Sequence, residues 1–177
     1  MGRWEAEIKY EEYRAVAREA ALRFVQSMPV WTSADERAAV RLTDIDALCL
    51  DVWRRSWRHK EFDWDENAAH FKREVDRFEL AIWSGEQLCG LAIGRVSRGP
   101  DNVTIHFLER RSGDTPLKGR IALLATETAD RYAKILNKQR VKLKDPLPDA
   151  IVTYQRLNFV LVETIGKTTY YARQVGD

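Results

Sequence analysis

The sequence predicts an α+β domain, and three observations carry that expectation. Apolar residues recur at helical spacing through most of residues 8–78, strict alternation takes over across residues 78–108, and helix and strand patterns then interleave to the carboxyl end. The length of 177 residues suits a single core. With 45% hydrophobic and 32% charged residues, the chain can bury that core and is not expected to be disordered.

Lysine plus arginine number 29 against 27 aspartate plus glutamate, so the net charge of +2 gives no global attraction to nucleic acid or anionic lipid. Any basic site must be local. No apolar run approaches the roughly 20 residues that span a bilayer, so no membrane partner is expected. Cys49 and Cys89 lie inside apolar segments and read as reduced, buried small hydrophobes, which favours a cytoplasmic location. Residues 1–28 are charged and helical in pattern, with no apolar h-region, so no secretory signal is expected.

Taken in order, residues 8–26 place Tyr13, Val16, Ala17, Ala20, Ala21, Phe24 and Val25 on one helix face. Pro29 breaks the pattern and a connector follows. A short strand is expected over residues 39–42, and Thr43 to Asp46 offer a cap for a helix ending near Trp57. The next helix is expected over residues 66–78, with Ala69, Phe71, Val75 and Phe78 inward. Residues 78–83 and 88–96 read as an antiparallel hairpin turning at Gly85, and residues 103–108 as a third strand of a meander. After a polar loop, residues 121–136 regain helical spacing. A strand over 140–143, a helix over 149–157 and a closing hairpin over 159–163 and 168–174 complete the chain. Residues 1–37 read as an N-terminal helical extension and residues 38–177 as the main domain.

This element order resembles the GCN5-related N-acetyltransferase (GNAT) superfamily, and two segments sharpen the likeness. Pro116-Leu117-Lys118-Gly119-Arg120-Ile121 stands where the family has Q/R-x-x-G-x-G/A before its central helix, keeping the first glycine. Ala150 to Phe159 follow the family's A-x-x-x-Y-x-x-x-G-F, with Asn158 in place of the glycine. Asparagine tolerates a left-handed helix terminus best after glycine. The asparagine that often stands three residues before the alanine is Leu147 here. The resemblance implies a mostly antiparallel mixed sheet with one parallel pair, residues 103–109 and 140–145, splayed to admit the pantetheine arm of acetyl-CoA or another acyl-CoA.

It also implies transfer of an acetyl group from acetyl-CoA to a primary amine of a small molecule or protein. Leu117, Lys118, Gly119, Arg120 and Ile121 would then cradle the pyrophosphate, since helix N-termini offer free N–H groups. Phe107 and Leu108 would border the arm. Tyr154 matches the family's proton donor to the thiolate; the alternative is a core tyrosine. Glu109 is a candidate base whose strand parity puts it on the face of Phe107 and Ile105, and His106, of opposite parity, is the other candidate. His59, His70 and His106 are scattered, so no metal is expected.

Residues 53–60 interleave Trp53 and Trp57 with Arg54, Arg55, Arg58 and Lys60. That stretch is either a nucleic-acid platform or two core indoles with solvated arginines. The alternatives to an amine acyltransferase are therefore an enzyme of the same fold acting on charged transfer RNA or a DNA base, and a silent acyl-CoA-binding module. The N-terminal helix is expected to cover a sheet edge, lid the acceptor cleft or form a homodimer.

Overall fold

A computed structural model describes residues 1–176, beginning with helix α1 (Arg3–Ser27) and a short helix α2 (Ala34–Ala38). Strand β1 (Val40–Thr43) leads through α3 (Ala47–Ser56) and α4 (Trp64–Phe71) to the meander β2 (Phe78–Ser84), β3 (Gln87–Val96) and β4 (Asn102–Arg110). Helix α5 (Ile121–Ile135) crosses to β5 (Arg140–Lys144). A 3-10 turn (Pro148–Ala150) runs into α6 (Ile151–Arg156), and β6 (Val160–Ile165) and β7 (Thr168–Gln174) close the chain.

The strands form one sheet in the order β1-β2-β3-β4-β5-β7-β6, and only β4 and β5 run parallel. Each face buries its own core. Phe78, Leu80, Ile82, Val103 and Ile105 pack under α5 and α1 with Leu124, Tyr132 and Ala17. Ala81, Trp83, Leu91 and Ile93 pack on the opposite face under α3 and α4 with Trp53, Trp57, Trp64 and Phe71. Burial on both sides makes β2 and β3 apolar almost throughout, as interior strands require.

The caps explain two of the helices. Asp46 accepts from the Cys49 amide at 2.8 Å and Asp63 from the Glu66 amide at 3.0 Å. The second of these corrects the helix expected over residues 66–78, which starts at Trp64 and stops at Phe71. Beyond it, the carbonyls of Val75, Asp76 and Arg77 are taken by tertiary donors: Arg14 at 3.1 and 3.3 Å and the Tyr132 hydroxyl at 2.9 Å. The helix expected over residues 149–157 likewise splits into a 3-10 turn and α6. It ends at Asn158 with φ 68°, the left-handed geometry expected of that residue.

Helix α1 lies along α5 and β1 through Ala17, Ala21 and Val25, which are fully buried. Its Arg14 is buried in an ionic knot. Arg14 meets Glu11 at 2.8 Å, Arg77 bridges Glu7 and Glu79 at 2.9 Å each, and Arg18 meets Asp44 at 2.5 Å. Glu11, Asp44 and Glu79 bring carboxylate oxygens within 4.8 Å of one another, and these arginines neutralise them.

The decisive irregularity is in the middle of the sheet. Ile93 pairs with Phe107 and Gly94 pairs with Ile105, so His106 is an extra residue on β4, a β-bulge. A Cβ on Gly94 would stand 1.8 Å from the Thr104 carbonyl oxygen, so only glycine allows this approach. The bulge resets the alternation. Ile105 faces the α5 core and Phe107 the α3–α4 core, although two residues apart they would otherwise share a face. The expectation that Glu109 shares the face of Ile105 is thereby corrected; it stays with Phe107. Gly94→Ala should cost about 3 kcal/mol, read as a fall in urea midpoint. Gly99→Ala, with nothing within 4 Å of the added carbon, should stay within about 0.5 kcal/mol; equal effects at the two sites would refute the close approach.

Candidate active site

Strands β4 and β5 are paired from Asn102–Arg140 to Ile105–Leu143 and part beyond that point. The parting opens a slot of about 40 Å³ lined by Ile105, His106, Leu108, Lys144, Leu147 and Tyr154 among others. The β5-facing edge of β4 beyond Ile105 has no ladder partner, so its backbone polar groups are available to a guest. Tyr154 enters from α6, 5% exposed, with its ring against Phe159 at 6.1 Å. Its hydroxyl makes no hydrogen bond among the described residues, whereas the buried hydroxyl of Tyr132 does. Burial pushes the Tyr154 pKa well above its ordinary value, so the group stays protonated.

His106 borders this slot and also a wider cleft of about 500 Å³ on the α4 side, which Phe71, Arg73, Arg95, Phe107 and Lys144 help to line. The bulge puts it there. Its Nδ1 lies 3.2 Å from the Thr104 carbonyl oxygen. A carbonyl only accepts, so Nδ1 carries the proton and Nε2 keeps its lone pair. Burial first, then the charges of Lys144, Arg95 and His70, lower the imidazole pKa from 6.5 to about 4. The ring is neutral at neutral pH.

Glu109 is differently employed. Its carboxylate accepts from the Glu61 amide at 2.7 Å, the Phe62 amide at 3.2 Å and the Trp64 indole at 2.8 Å. Buried at 5% exposure, it pins the α3–α4 loop to the sheet. It is neither the solvated turn residue nor the cleft-facing base that its sequence position allows. Phe107 also turns away from the slot and packs on Phe62 at 5.0 Å, while Leu108 lines the slot.

The loop before α5 has the backbone shape expected of an anion cradle, with Gly119 at φ 86°. Lys118 and Arg120 spend their amides within the turn, on Thr115 and Leu117. The amides of Gly119, Ile121, Ala122 and Leu123 have no partner among the described residues. Leu117 is buried in the core and Lys118 is exposed. Arg120 does not reach into the cradle freely: it donates to the Val30 carbonyl at 2.7 Å and pairs with Glu36 at 2.9 Å. Glu36 is held ionised chiefly by the Thr32 hydroxyl, with Arg120 adding. That pairing removes the charge that position 120 offered to a phosphate.

The tryptophan–arginine stretch forms no stacking platform. Trp53 and Trp57 are 4% and 3% exposed, Arg54 pairs with Asp65 and Arg55 with Asp51. Cys49 and Cys89 are buried free thiols. Among the described residues no helix is long and apolar enough to cross a membrane.

No protein-family model and no curated sequence matches the chain. Solved structures do. The Escherichia coli ribosomal-protein-S18-alanine N-acetyltransferase aligns over 78% of this chain and 95% of its own, with TM-score 0.58 and 15% identity. An aminoglycoside 6'-N-acetyltransferase determined with coenzyme A covers 77% and 98%, with TM-score 0.60 and 11% identity. A candidate acetyltransferase of the GNAT family from Desulfovibrio desulfuricans covers 78% and 100%, with TM-score 0.55 and 15% identity. The chain has the GNAT fold. In GNAT terms β4 and β5 are the expected splayed parallel pair.

The sequence did not single out Lys144, Arg95 or Arg73, because each is an ordinary surface cation until the fold gathers it at the cleft. Glu36 was hidden in the same way. The low pKa of His106 carries a pH signature. Between pH 6.5 and about 4 the unfolded chain binds a proton that the folded one refuses. This group therefore costs no stability above pH 6.5 and an increasing amount as pH falls toward about 4. His106→Asn should flatten the decline of the urea midpoint across that window; parallel profiles for parent and variant would show that the imidazole is not held neutral.

Proposed function

We propose that the chain is an acyl-CoA-dependent N-acyltransferase of the GNAT superfamily, moving an acetyl group from acetyl-CoA to a primary amine of a small molecule or protein. One observation carries the reading: a neutral histidine borders both a slot between splayed strands and a larger cleft, and the slot also holds an unpartnered, fully protonated tyrosine. Two access routes meeting at an acid and a base suit a transfer between two substrates.

The residues fit a coenzyme A arm at the orphan amides of Gly119 and of the first turn of α5, with the exposed Lys118 beside them. At about 40 Å³ the slot is narrow, so the arm enters by displacing flanking side chains such as Phe62 and Leu147. Acetyl-CoA supplies the activated acyl carbon. The chain does the rest: free β4 amides beyond Ile105 donate to the acyl oxygen, His106 Nε2 takes the proton that the acceptor ammonium loses, and the Tyr154 hydroxyl gives its proton to the departing sulfur. Its neutrality at pH 7 keeps the Nε2 lone pair open to receive that proton. The buried thiols suit a reducing cytoplasm.

Coenzyme A at a hundredfold excess over its Kd should stabilise the protein by about 2.7 kcal/mol, seen as a rise in Tm. Amine-dependent thiol release should fall about a hundredfold in kcat for Tyr154→Phe, with KM for acetyl-CoA little changed. Absence of both responses would refute the proposal, and stabilisation without amine-dependent release would make the chain a binding module instead.

A further inference from the structure

The cleft on the α4 side has a charge pattern that the transferase reading alone does not require. Its wall carries Arg73, Arg95 and Lys144 against a single carboxylate, Glu66, an excess of two positive charges (three minus one). Arg73 and Arg95 are exposed and Lys144 is partly buried, and most other partly buried cations are neutralised: Lys142 by Glu163, Arg140 by Asp101, Arg173 by Glu127 and Asp130. Arg73 and Lys144 make no ion pair among the described residues. Arg95 reaches only a distant carboxylate, Glu74 at 3.9 Å. It is otherwise held in place by the His70 ring nitrogen at 2.8 Å and the face of Phe71, 5.3 Å to the ring centroid.

We infer that this cleft selects an acceptor amine that also carries an anionic group, a carboxylate or a phosphate, and that Lys144 with Arg95 and Arg73 receives that group. The inference rests on the transferase reading for the reaction but not for the binding. Lys144 lines both the cleft and the slot, so an anion paired with it lies beside His106, and a short skeleton then brings the amine to the mouth of the slot. Phe71, Phe107 and Ala69 give that skeleton an apolar floor. The same charges repel ammonium groups. They therefore disfavour polycationic acceptors and make the bound amine easier to deprotonate.

Two matched pairs test this: O-phosphoethanolamine against ethanolamine, and β-alanine against β-alaninamide, with spermidine as the polycation. Calorimetric binding to the full chain and amine-dependent thiol release from acetyl-CoA are both measured. The anionic member of at least one pair should bind about tenfold more tightly or better, with the preference shrinking at high salt. The pair that shows it tells carboxylate from phosphate. Lys144→Gln should erase most of the preference. Arg73→Gln, an exposed position, should weaken it in a chain whose fold is undisturbed. Equal binding within both pairs, preference for spermidine, or a preference indifferent to both substitutions would overturn the inference. Turnover of amines without regard to charge would overturn it while leaving the transferase reading intact. Lys144-dependent binding of an anionic amine with no thiol release from any amine would uphold the cleft's selectivity and remove the transferase reading.

Discussion

The close approach of Gly94 to the Thr104 carbonyl is the constraint from which the site follows. Without a Cβ at position 94, β3 lets β4 carry one more residue than it can pair, and that residue is His106. The bulge bends β4 at the point where its pairing with β5 ends, so the slot and the histidine at its edge are two results of one irregularity. It also hands Phe107 and Glu109 to the α3–α4 core while Ile105 and Leu108 stay with α5. A regular β4 would have turned the His106 side chain to a different face of the sheet.

Around that opening the protein settles most charges elsewhere. Glu109 is consumed by three donors that fix the α3–α4 loop, and Arg120 by Glu36 and a carbonyl of the connector after α1. What remains uncommitted is informative: the Tyr154 hydroxyl, the Nε2 of His106, the amides at the head of α5 and the cations of the α4 cleft. Buried polar groups normally find partners, so groups left without one near a cavity are those available to a ligand.

Helix α1 is tied into this arrangement at its middle and through the connector after its carboxyl end. Its Arg14 organises the carbonyls after α4 and balances Glu11 and Glu79 in the interior, and the connector that follows it reaches the α5 loop through Val30, Trp31 and Glu36. Breaking one partner of such a buried set leaves a charge uncompensated, at a cost of about 3 kcal/mol or more. The helix and its connector thus join the segment after α4 to the loop before α5 through polar contacts that the helix's apolar spacing does not reveal.

Local periodicity and the backbone preferences of single residues make the element order, the glycine turn before α5 and the left-handed Asn158 legible in the sequence, whereas the burial of the central strands on both faces follows from helices packing on each side of the sheet. Motif spacing likewise brought Tyr154 to the slot. Only the tertiary structure decided which side His106 and Glu109 serve, that Arg120 is spoken for, and that Lys144, Arg95 and Arg73 share one cleft. Strand parity holds only until a bulge resets it, and an isolated glycine within an apolar strand, Gly94, was the one local sign that it would. Pairing between elements has no sequence period: Glu36 and Arg120, or Glu109 and the Trp64 indole, meet because separate elements are packed against each other, and only that packing tells which groups are left free.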